Sequence, residues 1–419
     1  MVIQKKLSNG ITFYGEEIEG LRSVTLGIWV KAGSLIETER QNGISHFIEH
    51  MLFKGTERRT YRQIAEEMDN IGGQMNAFTS KECTCYYAKV MDEKLPIATD
   101  ILTDMFCNSV FAQEEMDKER GVVLEEIAMS NDNPEDVAHE TLAIQYFEGN
   151  PLAKTILGPG ENVRAFTKED ILDYMGQYYR GDNVVVVAVG NFDQEQLLAD
   201  LESKLAGIQP GKRVARGDSL WTPKPGFAAV EKDAEQVHMT MGMPAYSFGD
   251  RRKYAMSVLA NIFGGSMSSR LFQRIREELG MAYSIYSYPS VYTTDGMLCI
   301  YAGMSSENAV NVTENILEEM RRMRREMITS EELSNTKEQL RGNFILGQES
   351  TSAKMSAIGK NVLLGGGVKT EEEVLRELAD VTLEDVEEAI NLAFDEKNMS
   401  GVYVGNVKDE DKLRAYFVR

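Results

Sequence analysis

The sequence predicts an α+β protein built as two similar halves, each a mostly antiparallel sheet covered by helices. Three observations lead there. The chain has 419 residues, more than one ordinary hydrophobic core organises. Strand-like β-branched runs are mixed with long amphipathic helical patterns, the signature of helices laid over sheets. One pattern is also written twice. Phe166-Thr167-Lys168-Glu169-Asp170-Ile171 leads through Asp182-Asn183 into a valine run closed by Gly190-Asn191. Val381-Thr382-Leu383-Glu384-Asp385-Val386 leads through Lys397-Asn398 into Val402-Tyr403-Val404 closed by Gly405-Asn406. Each copy reads as a capped helix, a loop and a strand.

Thr167 and Thr382 lie 215 positions apart (382 − 167), as do Gly190 and Gly405 (405 − 190). Upstream, Gln113-Glu114-Glu115-Met116 and Ser330-Glu331-Glu332-Leu333 open long helical patterns at an offset of 217 (332 − 115). A repeat of this length implies a duplicated domain rather than a solenoid. Between the copies, Pro210, Gly211, Gly217, Pro223, Pro225 and Gly226 read as a linker. The expected division is therefore residues 1–210, a linker at 211–225, and residues 226–419. In the first half, 23–32, 84–90 and 184–189 are read as strands. Helices are expected over 95–107, 114–130 and 171–179. Asn9-Gly10, between two short apolar runs, predicts a hairpin turn.

Composition narrows the function classes. Hydrophobic residues make up 42% and charged residues 26%, an ordinary globular balance. The net charge of −21 repels nucleic acids and anionic membranes. No segment has the roughly 20 apolar residues that span a bilayer, and the N-terminus lacks a signal-like apolar core, so a cytoplasmic protein is expected. Cys83, Cys85, Cys107 and Cys299 suit reduced thiols better than a disulfide framework or a zinc ribbon.

The chemistry concentrates in His46-Phe47-Ile48-Glu49-His50, inside a segment running from Asn42 to Gly55. Asn42 is the expected N-cap and Gly55 the stop. Ile44, Phe47, Ile48, Met51 and Leu52 line one apolar helix face, which leaves His46, Glu49, His50 and Phe53 on another. Imidazoles one turn apart reach a single ion. Glu49 beside them is placed to hold water rather than to ligate. Two of the chain's four histidines fall in this HxxEH pattern. His139-Glu140 opens the commoner His-Glu-x-x-His motif, but Ala143 stands where its second ligand belongs, and His238 lies in a strand-like run. A phosphate loop at 365–370 is rejected because Val368 and Leu363 occupy glycine positions.

A catalytic zinc takes three protein ligands and keeps one position open. The helix around Met116 to Ile127 is the best source of the third, because Glu119 and Glu126 are two turns apart on one face. Alone, this would be a solvated acidic face.

The sequence resembles the inverzincin metallopeptidases, specifically the bacterial relatives of mitochondrial processing peptidase in the pitrilysin and insulin-degrading-enzyme group. The resemblance spans nearly the whole chain, and His46, Glu49 and His50 match its inverted motif. It implies a zinc-dependent hydrolase, a metalloprotease with His46, His50 and Glu126 as ligands. Glu49 is the implied general base and Glu119 the support of the site. Asn76, Ala77, Phe78 and Thr79 are implied to form an edge strand that pairs with extended substrate. Arg276 and Tyr283 resemble the family's Arg and Tyr pair, which holds the substrate backbone and assists the oxyanion. The implied zinc lowers the pKa of water and polarises the scissile carbonyl. The 217 offset carries Glu126 to Asn343, not a usual ligand, so one zinc per chain is expected. A processing-peptidase-like homodimer enclosing a chamber, acting on unfolded peptides or presequence-like segments, completes the expectation.

Overall fold

The computed structural model describes residues 2–211 and 222–418. Most of the expected linker, residues 212–221, lies outside the described residues. The chain forms two compact units.

Unit 1 gathers Met1–Ile127, Lys154–Gly217 and Ile345–Thr370. Its sheet has six strands: β1 (Val2–Lys6), β2 (Thr12–Glu17), β3 (Ser23–Val30), β4 (Gln74–Thr79), β5 (Thr84–Met91) and β6 (Val184–Gly190), in the order β1-β2-β6-β3-β5-β4. Only the β2–β6 pairing is parallel. The turn at Asn9-Gly10 joins β1 to β2, and Gly10 supplies its positive φ of +97°. The valine run of β6 shows no alternation because both faces are covered. Val184, Val186 and Ala188 enter the main core. Val185, Val187 and Val189 join a second cluster with Trp29 and with Met355 and Ile358 of helix Thr351–Leu364. That helix ends at Gly365, whose left-handed backbone caps it. On the main-core face lie α1 (Ile44–Leu52), α2 (Tyr61–Asn70), α3 (Leu95–Asn108) and α4 (Gln113–Asp132).

Unit 2 gathers Ala128–Ala153, Asp218–Phe344 and Glu371–Arg419. Its sheet comprises β7 (Gly226–Val230), β8 (Val237–Ala245), β9 (Ala282–Val291), β10 (Gly296–Met304) and β11 (Ser400–Val404), in the order β7-β11-β8-β10-β9. Helices Lys253–Ala260, Ala309–Glu326 and Leu383–Ala393 pack on its core face. The other face takes α5 (Pro134–Tyr146), where the Thr240 hydroxyl donates to the Ala138 carbonyl at 3.0 Å. In each unit, the helix on this second face comes from beyond the 211–225 stretch, relative to the strands it covers.

The duplication is visible in fine geometry. Thr167 and Thr382 each cap their helix through the same reciprocal box, with Asp170 and Asp385 as partners. This is why the first helix begins at Lys168, ahead of the apolar pattern that placed its start at 171. Gly190 and Gly405 repeat the same backbone, at φ +133° and +129°. Cys83, Cys85 and Cys299 are buried and all four thiols are free. Burial pushes Cys83 up to about 11 and Cys299 to about 12, so both stay protonated. Among the described residues, no helix is long and apolar enough to cross a membrane.

Candidate active site and metal centre

The apolar stripe of α1 (Ile44, Phe47, Ile48, Met51, Leu52) is fully buried in the core of unit 1. That burial fixes the rotation of the helix and aims its remaining face at α4. The start of α1 differs from expectation. Its N-cap is Gly43, at φ +99°, not Asn42. Asn42 instead donates through its side chain to Glu37 and to the Thr155 carbonyl. The helix stops at Leu52, and Gly55 follows at φ +118°.

His46, His50 and Glu126 come together. His46 Nε2 is 3.6 Å and His50 Nε2 3.5 Å from Glu126 Oε2. Among the described residues, this is the group of donors close enough to hold a metal, with all ligand atoms within 4.8 Å of one another. Tetrahedral zinc with bonds near 2.0–2.1 Å separates its ligand atoms by about 3.3 Å, so the trio fits such an ion with little movement. The neighbouring Glu125 is exposed and lies outside this group.

Glu119, one of the few buried carboxylates, lies two turns before Glu126. Its Oε1 sits 2.8 Å from His50 Nδ1 and its Oε2 2.5 Å from Lys54 Nζ. A carboxylate flanked by these groups accepts from both, which places the neutral His50 proton on Nδ1 and leaves Nε2 open towards Glu126. Burial resists ionisation of Glu119, but His50 and Lys54 outweigh it and hold its carboxyl below the usual range. Burial likewise opposes charge on His50, yet Glu119, Glu126 and Glu49 raise its pKa overall. His46 goes the other way. Burial, then repulsion from His50, lowers it to about 4, so it is neutral at physiological pH as a ligand must be.

Glu49 is held by Thr79, whose hydroxyl donates to Oε2 at 2.5 Å. Burial raises the Glu49 pKa against the opposing effects of Thr79 and His50, the direction a general base needs to work near neutral pH. Thr79 ends β4, and β4 is one of the two edge strands of its sheet. Along that strand Asn76 is exposed and accepts from the Ala77 amide. Ala77 packs on the main core, and Phe78 meets Trp29 edge-on at 5.4 Å.

In unit 2, the Arg276 guanidinium lies over the rings of Phe272 and Tyr283 at 4.6 and 5.1 Å, and Tyr283 is strongly exposed. His139 and His238 are packed into a tyrosine network. His139 stacks on Tyr301 and meets the Tyr288 hydroxyl at 3.1 Å, and His238 meets the Tyr301 hydroxyl at 2.8 Å.

Two site residues, Lys54 and Glu37, and one contact escaped sequence reasoning. Lys54 follows His50 by one turn on the same face, a signal that was available. The Thr79–Glu49 bond links segments 30 positions apart, and Glu37 acts from six to eight positions upstream through backbone amides, which no side-chain pattern marks.

Residues 16–160 match the model of the insulinase family, peptidase family M16, and residues 165–340 match the peptidase M16 inactive domain. A Bacillus subtilis protein described as the uncharacterized zinc protease YmxG is 43% identical over 92% of this chain and 94% of its own length. A Streptomyces coelicolor zinc protease is 36% identical over 98% and 91%. Among solved structures, a peptidase M16 inactive domain from Pseudomonas fluorescens superposes with a TM-score of 0.90 at 19% identity, covering 97% of this chain and 98% of that one. A protease from Helicobacter pylori does so equally, covering 97% and 99%. A matched pair of family domains and relatives this similar along nearly the full chain leave one assignment: the protein is a zinc-dependent metallopeptidase of the insulinase family, peptidase family M16.

Proposed function

We propose that the chain is an endopeptidase acting on unfolded peptides or presequence-like segments, with Glu49 as its general base. The observation that carries this reading is the convergence of two imidazoles and Glu126, with a second, hydrogen-bonded carboxylate beside them and an open sheet edge attached to it. His46, His50 and Glu126 would hold one zinc per chain. When bound, that ion supplies Lewis acidity for activating water and polarising the scissile carbonyl. Glu49 takes a proton from the attacking water and delivers it to the leaving amine. Thr79 keeps the Glu49 carboxylate aimed, and Glu119 keeps His50 in the tautomer that ligates. An extended peptide adds to β4 along Asn76–Thr79, so only chain that can adopt a strand is cut. Arg276 and Tyr283 hold the substrate backbone and donate to the developing oxyanion, a role supported by the family resemblance and by the exposed hydroxyl-bearing ring of Tyr283.

The resemblance also supports a processing-peptidase-like homodimer working in the cytoplasm. Light scattering and cell fractionation test those two points, and elemental analysis tests the stoichiometry. The reaction itself is tested with Glu49→Gln, which removes the base without removing a ligand. Peptide-library cleavage should vanish while bound zinc stays at the wild-type level. Retained cleavage would overturn the role of Glu49, and cleavage insensitive to chelators would overturn the metal reading.

A further inference from the structure

The first turn of α1 carries His46 as its third residue. A helix start leaves backbone amides without intrahelical acceptors, and the N-cap side chain normally serves one of them. Here the N-cap is glycine, and a side chain is sterically barred, because a Cβ on Gly43 would stand 2.5 Å from the Leu157 carbonyl oxygen. The acceptor arrives from upstream instead. Glu37 Oε2 accepts from the Gly43 amide at 2.8 Å and from the Asn42 side-chain amide at 3.0 Å, and Glu37 Oε1 accepts from the Ser45 amide at 2.9 Å. Glu37 is 2% exposed. All three partners are donors, which suits a carboxylate and no other side chain of this length.

The two histidines also differ in how they are held. Metal-ligating histidines normally give their second ring nitrogen to a protein acceptor that sets the ring orientation. His50 has Glu119 for this. His46 Nδ1 is buried and has no hydrogen-bond partner among the described residues. The placement of His46 therefore depends on the backbone turn that bears it, and Glu37 holds that turn at both ends.

We propose that Glu37 is a positioning residue of the metal centre, its carboxylate clamping the Gly43–Ser45 turn so that His46 Nε2 faces Glu126. This rests on His46 being a ligand. A glutamine at this position offers one oxygen and one NH₂ group, so one of the two clamped amides faces a donor.

The test uses the full chain with Glu37→Gln and Glu37→Asp, and His46→Ala as control. Zinc affinity is read by competition with a chromophoric chelator, ligand geometry by the visible spectrum of the cobalt-substituted protein, and folding by the thermal midpoint of the metal-free form. Glu37→Gln should weaken zinc binding roughly 10- to 100-fold, as loss of other ligand-orienting groups does. It should also change the cobalt spectrum at saturating metal and lower kcat with KM nearly unchanged. A purely structural role would move the thermal midpoint alone, so a folded Glu37→Gln protein with wild-type zinc affinity and cobalt spectrum overturns the proposal. If Glu37→Gln does not fold, Glu37→Asp decides by the same readouts. It keeps the charge but is one methylene too short to reach both amides, so weakened affinity supports the clamp and wild-type affinity overturns it. Wild-type affinity in His46→Ala would instead overturn the metal-site reading, separately from the clamp.

Discussion

Replacing Glu119 with glutamine tests how α4 controls the histidine pair. Glu119 is 4% exposed, and its two oxygens serve two different partners, His50 Nδ1 at 2.8 Å and Lys54 Nζ at 2.5 Å. Glutamine has the same shape but only one acceptor. The ammonium of Lys54 has no acceptor capacity, so the amide oxygen should stay with it and turn the NH₂ group towards His50. That group donates to Nδ1 and favours the tautomer with its proton on Nε2, the atom facing Glu126. A protonated Nε2 cannot ligate. Recovering the correct tautomer sacrifices a hydrogen bond involving a charged group, about 1.5–3 kcal/mol. That range corresponds to roughly a 10- to 150-fold loss of zinc affinity. Chelator competition at neutral pH measures it directly, and kcat at saturating zinc shows whether the remaining geometry still works. Zinc affinity indistinguishable from wild type would refute the claim that Glu119 sets the His50 tautomer.

Three other outcomes follow from the same structure. Thr79→Val leaves the Glu49 carboxylate without its hydroxyl donor and should lower kcat with little change in KM, read from steady-state cleavage of a fluorogenic peptide. Asp104, whose side chain is fully buried, accepts from Thr56, Arg58, Arg59 and Asn108 just beyond the end of α1. Asp104→Ala leaves Arg59 paired with Asp100 and Glu67 but takes the shared acceptor from the Thr56 hydroxyl and from Arg58 Nε and Arg59 Nη1, and should cost about 1–3 kcal/mol, read as a lower urea midpoint. In the same network, burial opposes ionisation of Asp100. Hydrogen bonds from Arg59 and Lys204, with the charges of Lys204 and Arg58, overcome it and bring the carboxyl from the ordinary 3.8 to about 2. A depressed folded-state pKa means stabilisation that is present above the ordinary value and lost as pH falls through the folded one. Stability of wild type should therefore fall more steeply between those two pH values than that of Asp100→Asn, measured as urea midpoint against pH.

The parts of this protein legible in the chain are those governed by local spacing. The apolar stripe of α1 and the one-turn separation of its histidines depend only on helical periodicity. The repeated Thr-x-x-Asp boxes close within four residues, so both helix starts were readable, although the boundary at Lys168 came from the cap rather than from the apolar pattern. The valine run of β6 was readable as a strand, but its double burial was not, because the helix that covers its second face lies more than 160 positions away. Asn42 was misread as the cap because sequence shows which side chains are able to cap, not which carbonyl blocks a Cβ.

Periodicity and duplication alone established two α+β halves and a helix presenting His46, Glu49 and His50 on one face. They also offered Glu119 and Glu126 as acids sharing a face. Only the packed chain decided which of these groups meet. Glu126 reaches both histidines while Glu125 faces outward. Lys54 and His50 divide the two oxygens of Glu119, Thr79 crosses from the sheet edge to Glu49, and Glu37 closes the start of α1. Apart from the Glu37 contacts, which span five to eight positions, these join segments far apart in sequence. Their geometry depends on how helices and sheet bury their apolar faces against one another, which local spacing does not encode.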